Sequence, residues 1–241
     1  MDVVKDMGKE KCEHIKEIMN TDTNRGRWYF RHGRNPSERD YHSLFEEFNC
    51  IQREMTQKHL KVLPETFGIF DRLESEGIKV GITTGFNRDQ MMDVREILYN
   101  KGLFADEWLS STCLDLPGRP EPHMINELMR RFDIKDPQTV LKVDDTSVGI
   151  KEGKNAGCQT VGVARWSINM GVQSLEESGE IENVPWLYSA RLSGSMHTLG
   201  LSGPTRVVES LDDIFDGYDY SRGNRVRSYN KTDIDQYIRC F

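Results

Sequence analysis

Apolar residues in the first sixty positions recur at three- and four-residue spacing, the pattern of helices that bury one stripe. The pattern predicts a helix over residues 6–19, a break at Thr21-Asp22-Thr23-Asn24-Arg25-Gly26, and a second helix opening at the N-cap Ser37 and reaching about Leu60. In the second helix Tyr41, Leu44, Phe45, Phe48, Ile51 and Met55 are the expected buried stripe. From Pro64 the rhythm changes. Short β-rich runs at 78–83, 107–110, 139–143 and 160–163 alternate with helical stretches at 64–76, 88–100, 121–132 and 147–156, several of them stopped by a glycine. Strands separated by a helix's length of chain predict βαβ units and a parallel sheet, in which ligands bind beyond the carboxyl ends of the strands.

After Ala164 the signals weaken through a long irregular segment, 165–200. A last strand is expected at Thr205-Arg206-Val207-Val208 and a helical turn at Leu211–Phe215. The pattern therefore divides the chain into a helical module over 1–60, an α/β core over 61–215 and a polar tail over 216–241. The tail, rich in Asp, Arg, Tyr and Asn, reads as a loosely attached extension.

Composition narrows the class. A chain of 241 residues with 37% apolar content can bury one α/β core and an attached helical piece. No apolar run approaches the roughly 18 residues that cross a bilayer, and the N-terminus has no apolar signal region, so a cytoplasmic location without membrane contact is expected. A formal charge of −7 argues against nucleic acid as a partner and leaves an anionic small substrate, held by a few placed cations. The five cysteines are scattered without Cys-x-x-Cys spacing, as expected of reduced thiols rather than a disulfide framework or zinc site.

Three polar signals fall at strand ends. Thr83-Thr84-Gly85 offers a hydroxyl and backbone N–H groups to phosphoryl oxygens. Gly118-Arg119-Pro120 can aim a guanidinium fork at an oxyanion. Asp144-Asp145 leave an apolar strand as adjacent carboxylates, an arrangement that calls for a cation such as Mg²⁺, although Asp145 or Thr146 can also serve as a helix N-cap.

In that order, the three signals resemble motifs two, three and four of the haloacid dehalogenase superfamily. The spelling is similar to the phosphonoacetaldehyde hydrolase (phosphonatase) family in Met7-Gly8-x-x-Lys11-x-x-His14, Thr83-Thr84-Gly85-Phe86, Gly118-Arg119-Pro120 and Lys142-Val143-Asp144-Asp145-Thr146. The resemblance implies a Rossmann-like parallel sheet with helices on both faces plus a helical cap. It also implies hydrolysis of phosphonoacetaldehyde to acetaldehyde and phosphate, with Lys11 as the Schiff-base lysine. An amine suits the chemistry, because an iminium accepts the electrons of the breaking carbon–phosphorus bond as an enamine. Its pKa must then fall from about 10.4. His14 and Met7 match active-site positions of the family and are expected on the helix face of Lys11. Thr84, Gly85 and Arg119 match its phosphoryl-binding groups, Asp145 its Mg²⁺ ligand and Asp144 the supporting carboxylate. A homodimer through the cap is a further expectation.

The family opens with a strand ending in the aspartate that attacks phosphorus, and this sequence has no counterpart to it, since neither Asp2 nor Asp6 follows an apolar strand. A truncated enzyme with impaired turnover is the favoured expectation. The alternatives are a general Mg²⁺-dependent phosphatase fragment, which needs no Lys11, and a binding or regulatory module that captures a phosphonate or phosphate without turnover.

Overall fold

The computed structural model describes residues 7–171 and 180–215, together with the backbone pairing of 218–219, 224–225 and 238–240. The chain begins with three helices, α1 (Lys11–Asn20), α2 (Asp22–His32) and α3 (Glu38–His59). Ser37 and Asp40 close α3 at its start with a reciprocal capping box. The expected break at 21–26 is instead a helix start: Thr21 is extended, and its hydroxyl accepts from the N–H of Asn24 at 3.4 Å. Five polar residues in a row therefore carry a capped helix rather than a loop.

The stripe read on α3 holds only in part. Tyr41 is buried, and its hydroxyl donates to Asn20 Oδ1 at 3.1 Å on α1. Ile51 and Met55 are exposed. The distal half of α3 runs beyond α1 and rests on the core through polar side chains, so its apolar residues have no partner surface.

The core alternates helix and strand as expected: α4 (Glu65–Ser75), β1 (Val80–Thr84), α5 (Arg88–Asn100), β2 (Glu107–Ser110), a short α6 (Ser111–Leu114), α7 (His123–Arg131), β3 (Val140–Asp144), α8 (Ser147–Asn155) and β4 (Gln159–Val163). The segment 165–200, which the sequence left without an element, contains α9 (Pro185–Gly200), followed by β5 (Arg206–Val208). A two-stranded ribbon, β6 (Tyr218–Asp219) and β7 (Asn224–Arg225), precedes β8 (Ile238–Cys240).

The main sheet has the order β2-β1-β8-β3-β4-β5, and every pairing in it is parallel. Its centre is filled from the far end of the sequence: β8 pairs with β1 through Val80↔Arg239 and with β3 through Leu141↔Arg239. The expectation of a loosely attached tail thus fails at 238–240, while residues 226–237 lie outside the described residues. The physical reason is that β1 and β3 both offer unpaired central edges, and a parallel strand between them satisfies two ladders at once.

Three apolar clusters cover the sheet. The first gathers Leu73, Val80, Met91, Trp108, Val143 and Val161, the second packs α7 through Met124, Ile125 and Leu128 against Leu109 and Val140, and the third brings Leu199 of α9 together with Ile150, Ala164 and Val207. At about 25 cal/mol per Å² of apolar area, these buried side chains are the main term holding the strand ends in place. Gly81 lets α7 approach β1, since a Cβ there would lie 2.8 Å from Leu128 Cδ1.

Candidate active site

The carboxyl ends of β1 and β3 carry the polar signals into one space. β1 ends in Thr83 and Thr84. The loop after it opens α5 with a capping box in which Asn87 and Gln90 exchange hydrogen bonds. Thr84 Oγ1 accepts from the N–H of Phe86 at 3.1 Å, which folds the loop over the strand end. β3 ends in Asp144, and Thr146 caps α8 by accepting from Gly149 N–H at 3.0 Å.

Beneath these ends lies a buried ionic network. Lys142 is fully buried; its Nζ donates to Thr83 Oγ1 at 2.9 Å and stands 3.1 Å from Asp144 and 3.4 Å from Glu152. Arg119 reaches the same centre. Its Nε lies 2.9 Å from Glu152, one terminal nitrogen lies 3.4 Å from Asp144, and the other donates to Thr83 O and Oγ1 at 2.5 and 2.8 Å. Thr83 completes the centre by donating to Glu152 Oε2 at 3.0 Å. Sequence reasoning aimed the Arg119 fork at a substrate oxyanion, but here Thr83, Asp144 and Glu152 engage it. Lys142 and Glu152 have no role in the sequence reading, and Thr83, expected with Thr84 and Gly85 at phosphoryl oxygens, has its hydroxyl engaged by this network. The signal available was charged residues inside an otherwise apolar strand and helix face.

Two cations, Lys142 and Arg119, face two anions, Asp144 and Glu152, and Asp145 is the carboxylate left over. Burial works against the charged form of Asp144, but Lys142, Arg119 and the two hydrogen bonds from Thr146 outweigh it and hold its pKa well below the ordinary carboxylate range. Burial, and then the Asp144 charge, push the neighbouring Asp145 up to about 7. An acid so raised lacks a cation, and two adjacent carboxylates are the protein share that Mg²⁺ ordinarily takes. Among the described residues there is no cluster of three or more His, Cys, Asp or Glu that would make a closed cage for a metal. Asp145 and Asp144 are the two carboxylates that a cation at this strand end would meet.

Thr83, Thr84, Arg119, Asp144 and Asp145 line one end of a 540 Å³ cavity whose remaining wall is largely apolar, including Phe86, Met91, Trp108 and Trp166. Arg119 also borders a second, polar hollow between α1 and the loop 111–120. It stands between the two spaces.

The cap enters along a seam of glycines. Gly8, at φ +100°, lies against Thr146, where a Cβ would come within 2.9 Å of Oγ1. A Cβ on Gly85 would lie 2.6 Å from Lys9 O, and one on Gly118 would lie 3.0 Å from Glu10 Cβ. The loops that follow β1 and β3 and the loop 111–120 thus all approach residues 8–10. The helix α1 starts directly afterwards, with Glu10 as N-cap accepting from Glu13 N–H at 3.0 Å. Lys11 is half-buried, and its pKa is lowered first by burial and then by the charge of Arg119. His14 is buried one turn further along the same helix. Met7 precedes the helix in a turn and so does not share the helix face of Lys11, because Gly8 adopts a left-handed conformation that no helix continues through.

The chain matches the haloacid dehalogenase-like hydrolase family over residues 3–163. It belongs to that family. Among its relatives, the phosphonoacetaldehyde hydrolase of Latilactobacillus sakei is 29% identical over 209 residues, which are 87% of this chain and 77% of that protein. The phosphonoacetaldehyde hydrolase of Hahella chejuensis is 35% identical over 167 residues, 69% of this chain and 56% of that one. A bifunctional phosphonoacetaldehyde hydrolase/aminoethylphosphonate transaminase of Clostridioides difficile is 30% identical over 213 residues, and the chain spans only 33% of its length. Among solved structures, a phosphonoacetaldehyde hydrolase-like protein from Oleispira antarctica superposes with a TM-score of 0.83 at 24% identity, covering 98% of this chain and 79% of that one. A hydrolase from Pseudomonas syringae gives 0.59 at 15% identity, with 88% and 80% covered. At these identities the structures establish the fold alone. Among the described residues no helix is long and apolar enough to cross a membrane, and Cys12, Cys50, Cys113 and Cys158 are free thiols.

Proposed function

We propose that the site performs the imine half of phosphonoacetaldehyde hydrolysis. The observation that carries this reading is Lys11: an amine with a lowered pKa, seated directly after the glycine seam and electrostatically coupled to Arg119. The neutral amine adds to the aldehyde carbon, and loss of water leaves an iminium. As the carbon–phosphorus bond breaks, its electron pair moves onto carbon and the nitrogen is neutralised as an enamine, while the phosphoryl group passes to water and leaves as phosphate. Protonation at carbon and hydrolysis then release acetaldehyde and restore Lys11.

Thr84 and the N–H groups around Gly85 orient the phosphonate, with Arg119 supplying positive potential from behind. His14, one turn from Lys11, is placed to hold the water that adds to the imine. Mg²⁺, held by Asp145 and Asp144, would offset the negative charge of the phosphonate when bound. A second reading is that the chain forms an imine or binds a phosphonate without releasing phosphate. Exposed Tyr29 and Phe30 on α2 support a homodimer through the cap, and light scattering that gives a monomer at micromolar concentration would remove it.

The test is borohydride trapping of phosphonoacetaldehyde on the full chain, read by mass spectrometry, beside an acetaldehyde-release assay with Mg²⁺. Trapping at Lys11 that Lys11→Arg abolishes supports the imine, and release of acetaldehyde separates hydrolysis from capture. Phosphate release from simple phosphate esters that survives Lys11→Arg would point instead to a general phosphatase.

A further inference from the structure

We propose that the cavity at the strand ends binds phosphonates or phosphate monoesters whose remaining part is an apolar body of about six or more carbons, laid between the sheet and α5. The polar end of the cavity is short: Thr84, Arg119 and Asp145 meet there, and the rest of the lining is largely apolar. The phosphoryl end of this assignment rests on the proposed function, which gives Thr84 and Arg119 to that group. The apolar end does not.

Volume is the first reason. The cavity holds 540 Å³. Phosphonoacetaldehyde, at about 30 Å³ per non-hydrogen atom, the share of liquid that one water takes, fills roughly 200 Å³. More than half of the space is left over, and its walls are apolar. Folded interiors are close-packed and hold few voids larger than a water molecule, so apolar space on this scale marks room for a ligand rather than a packing fault.

The state of the wall is the second reason. Ile82, Val94, Leu98 and Leu211 pack against the main apolar cluster yet remain only half-buried, and all four line the cavity. Two tryptophans line it as well. Trp166 donates its indole N–H to Glu65, whereas Trp108, only 8% exposed, has an indole N–H with no hydrogen-bond partner among the described residues. Buried donors are nearly always satisfied in a complete interior, so this part of the wall is finished by something other than the residues around it. Covering the four half-buried side chains removes apolar surface from water, and a phosphoryl group alone cannot do that.

The test is titration calorimetry of the full chain with methyl-, butyl- and hexylphosphonate, none of which offers a carbonyl to Lys11. Affinity should rise about two- to fourfold per methylene, and at least about thirtyfold from methyl to hexyl. Val94→Phe fills the cavity from α5 and should bring the hexyl and methyl affinities toward equality. Should that variant fail to fold, Leu98→Phe fills the same space from the next turn. Equal affinities for the three phosphonates overturn the proposal, as does a chain-length gain that the filling variant leaves intact, since the chain then lies on another surface. The proposed function fails separately. A steep rise with chain length but no borohydride trapping at Lys11 leaves the cavity assignment in place and removes the imine, whereas trapping at Lys11 with no gain from chain length does the reverse. Binding of none of the three removes the phosphoryl anchor and the proposal together.

Discussion

The cap and the strand-end network border the same site, yet they hold their functional groups in contrasting ways. In the network, Lys142 and Glu152 are wholly buried and every charge faces an opposite one within 3.4 Å. In the cap, only His14 and Tyr41 are buried among the described residues of α1 to α3. The cap is tied down by polar contacts: Arg53 with Asp93 at 2.6 Å, and the buried Gln90 donating to Asn49 and Gln52 at 3.0 and 2.8 Å. Sealed charges fix geometry because any displacement leaves one of them uncompensated in a poorly polarisable interior. Polar ties between partly exposed side chains resist displacement less than sealed charges do. The strand-end network is therefore the more firmly held of the two regions.

The sharpest way to break this contrast is to remove one buried charge. Glu152→Gln leaves Lys142 and Arg119 facing Asp144 alone and is expected to cost about 3–5 kcal/mol in urea unfolding. A cost below about 1 kcal/mol, the scale of an exposed pair, would erase the distinction between the regions. Next in size is Gly85→Ala. Its Cβ would press on Lys9 O, which must move, at about 1–3 kcal/mol. Because the strain falls on the seam, borohydride trapping at Lys11 should fall more than global stability does. Equal losses in both would mean that cap and core do not part independently.

A smaller effect is expected from pH. Asp145 is raised from 3.8 to about 7 in the folded chain, so the fold binds this proton more tightly than the unfolded chain does. Its contribution is fully present below pH 3.8 and is lost as pH rises toward and through 7. Without Mg²⁺, Tm should therefore decline across that window, and Mg²⁺ should oppose the decline increasingly as the carboxylate ionises. Asp145→Asn should flatten both trends. The smallest effect belongs to Arg53→Met, an exposed pair worth about 0–1 kcal/mol, whose loss should speed hydrogen exchange in α3 more than it changes Tm.

The alternation of β1, α5, β2, α7, β3, α8 and β4 was legible in sequence because each strand is a short apolar run bounded by glycine or a capping residue. Boundaries missed by one or two residues, as at β1, where Ile78 and Lys79 lead into the strand rather than belong to it. The helix α2 was not legible, since its start depends on one threonine hydroxyl among several polar residues. The exposure of Ile51 and Met55 was not legible either, because spacing shows which residues share a face and not whether a partner covers it.

Residue identity alone determined the family motifs, the βαβ pattern, the excess of acid over base and the candidate groups Lys11, Thr84, Arg119, Asp144 and Asp145. Those features are local, written in spacing and side-chain chemistry. Only the tertiary structure decided that Arg119 is held by Glu152 and Thr83, that Lys142 is buried beside Asp144, that three glycines admit residues 8–10, and that β8 fills the centre of the sheet. Each of these depends on residues far apart in the chain approaching within a few ångströms. Such approaches are set by packing density and charge balance in the folded interior, which no periodicity along the chain encodes.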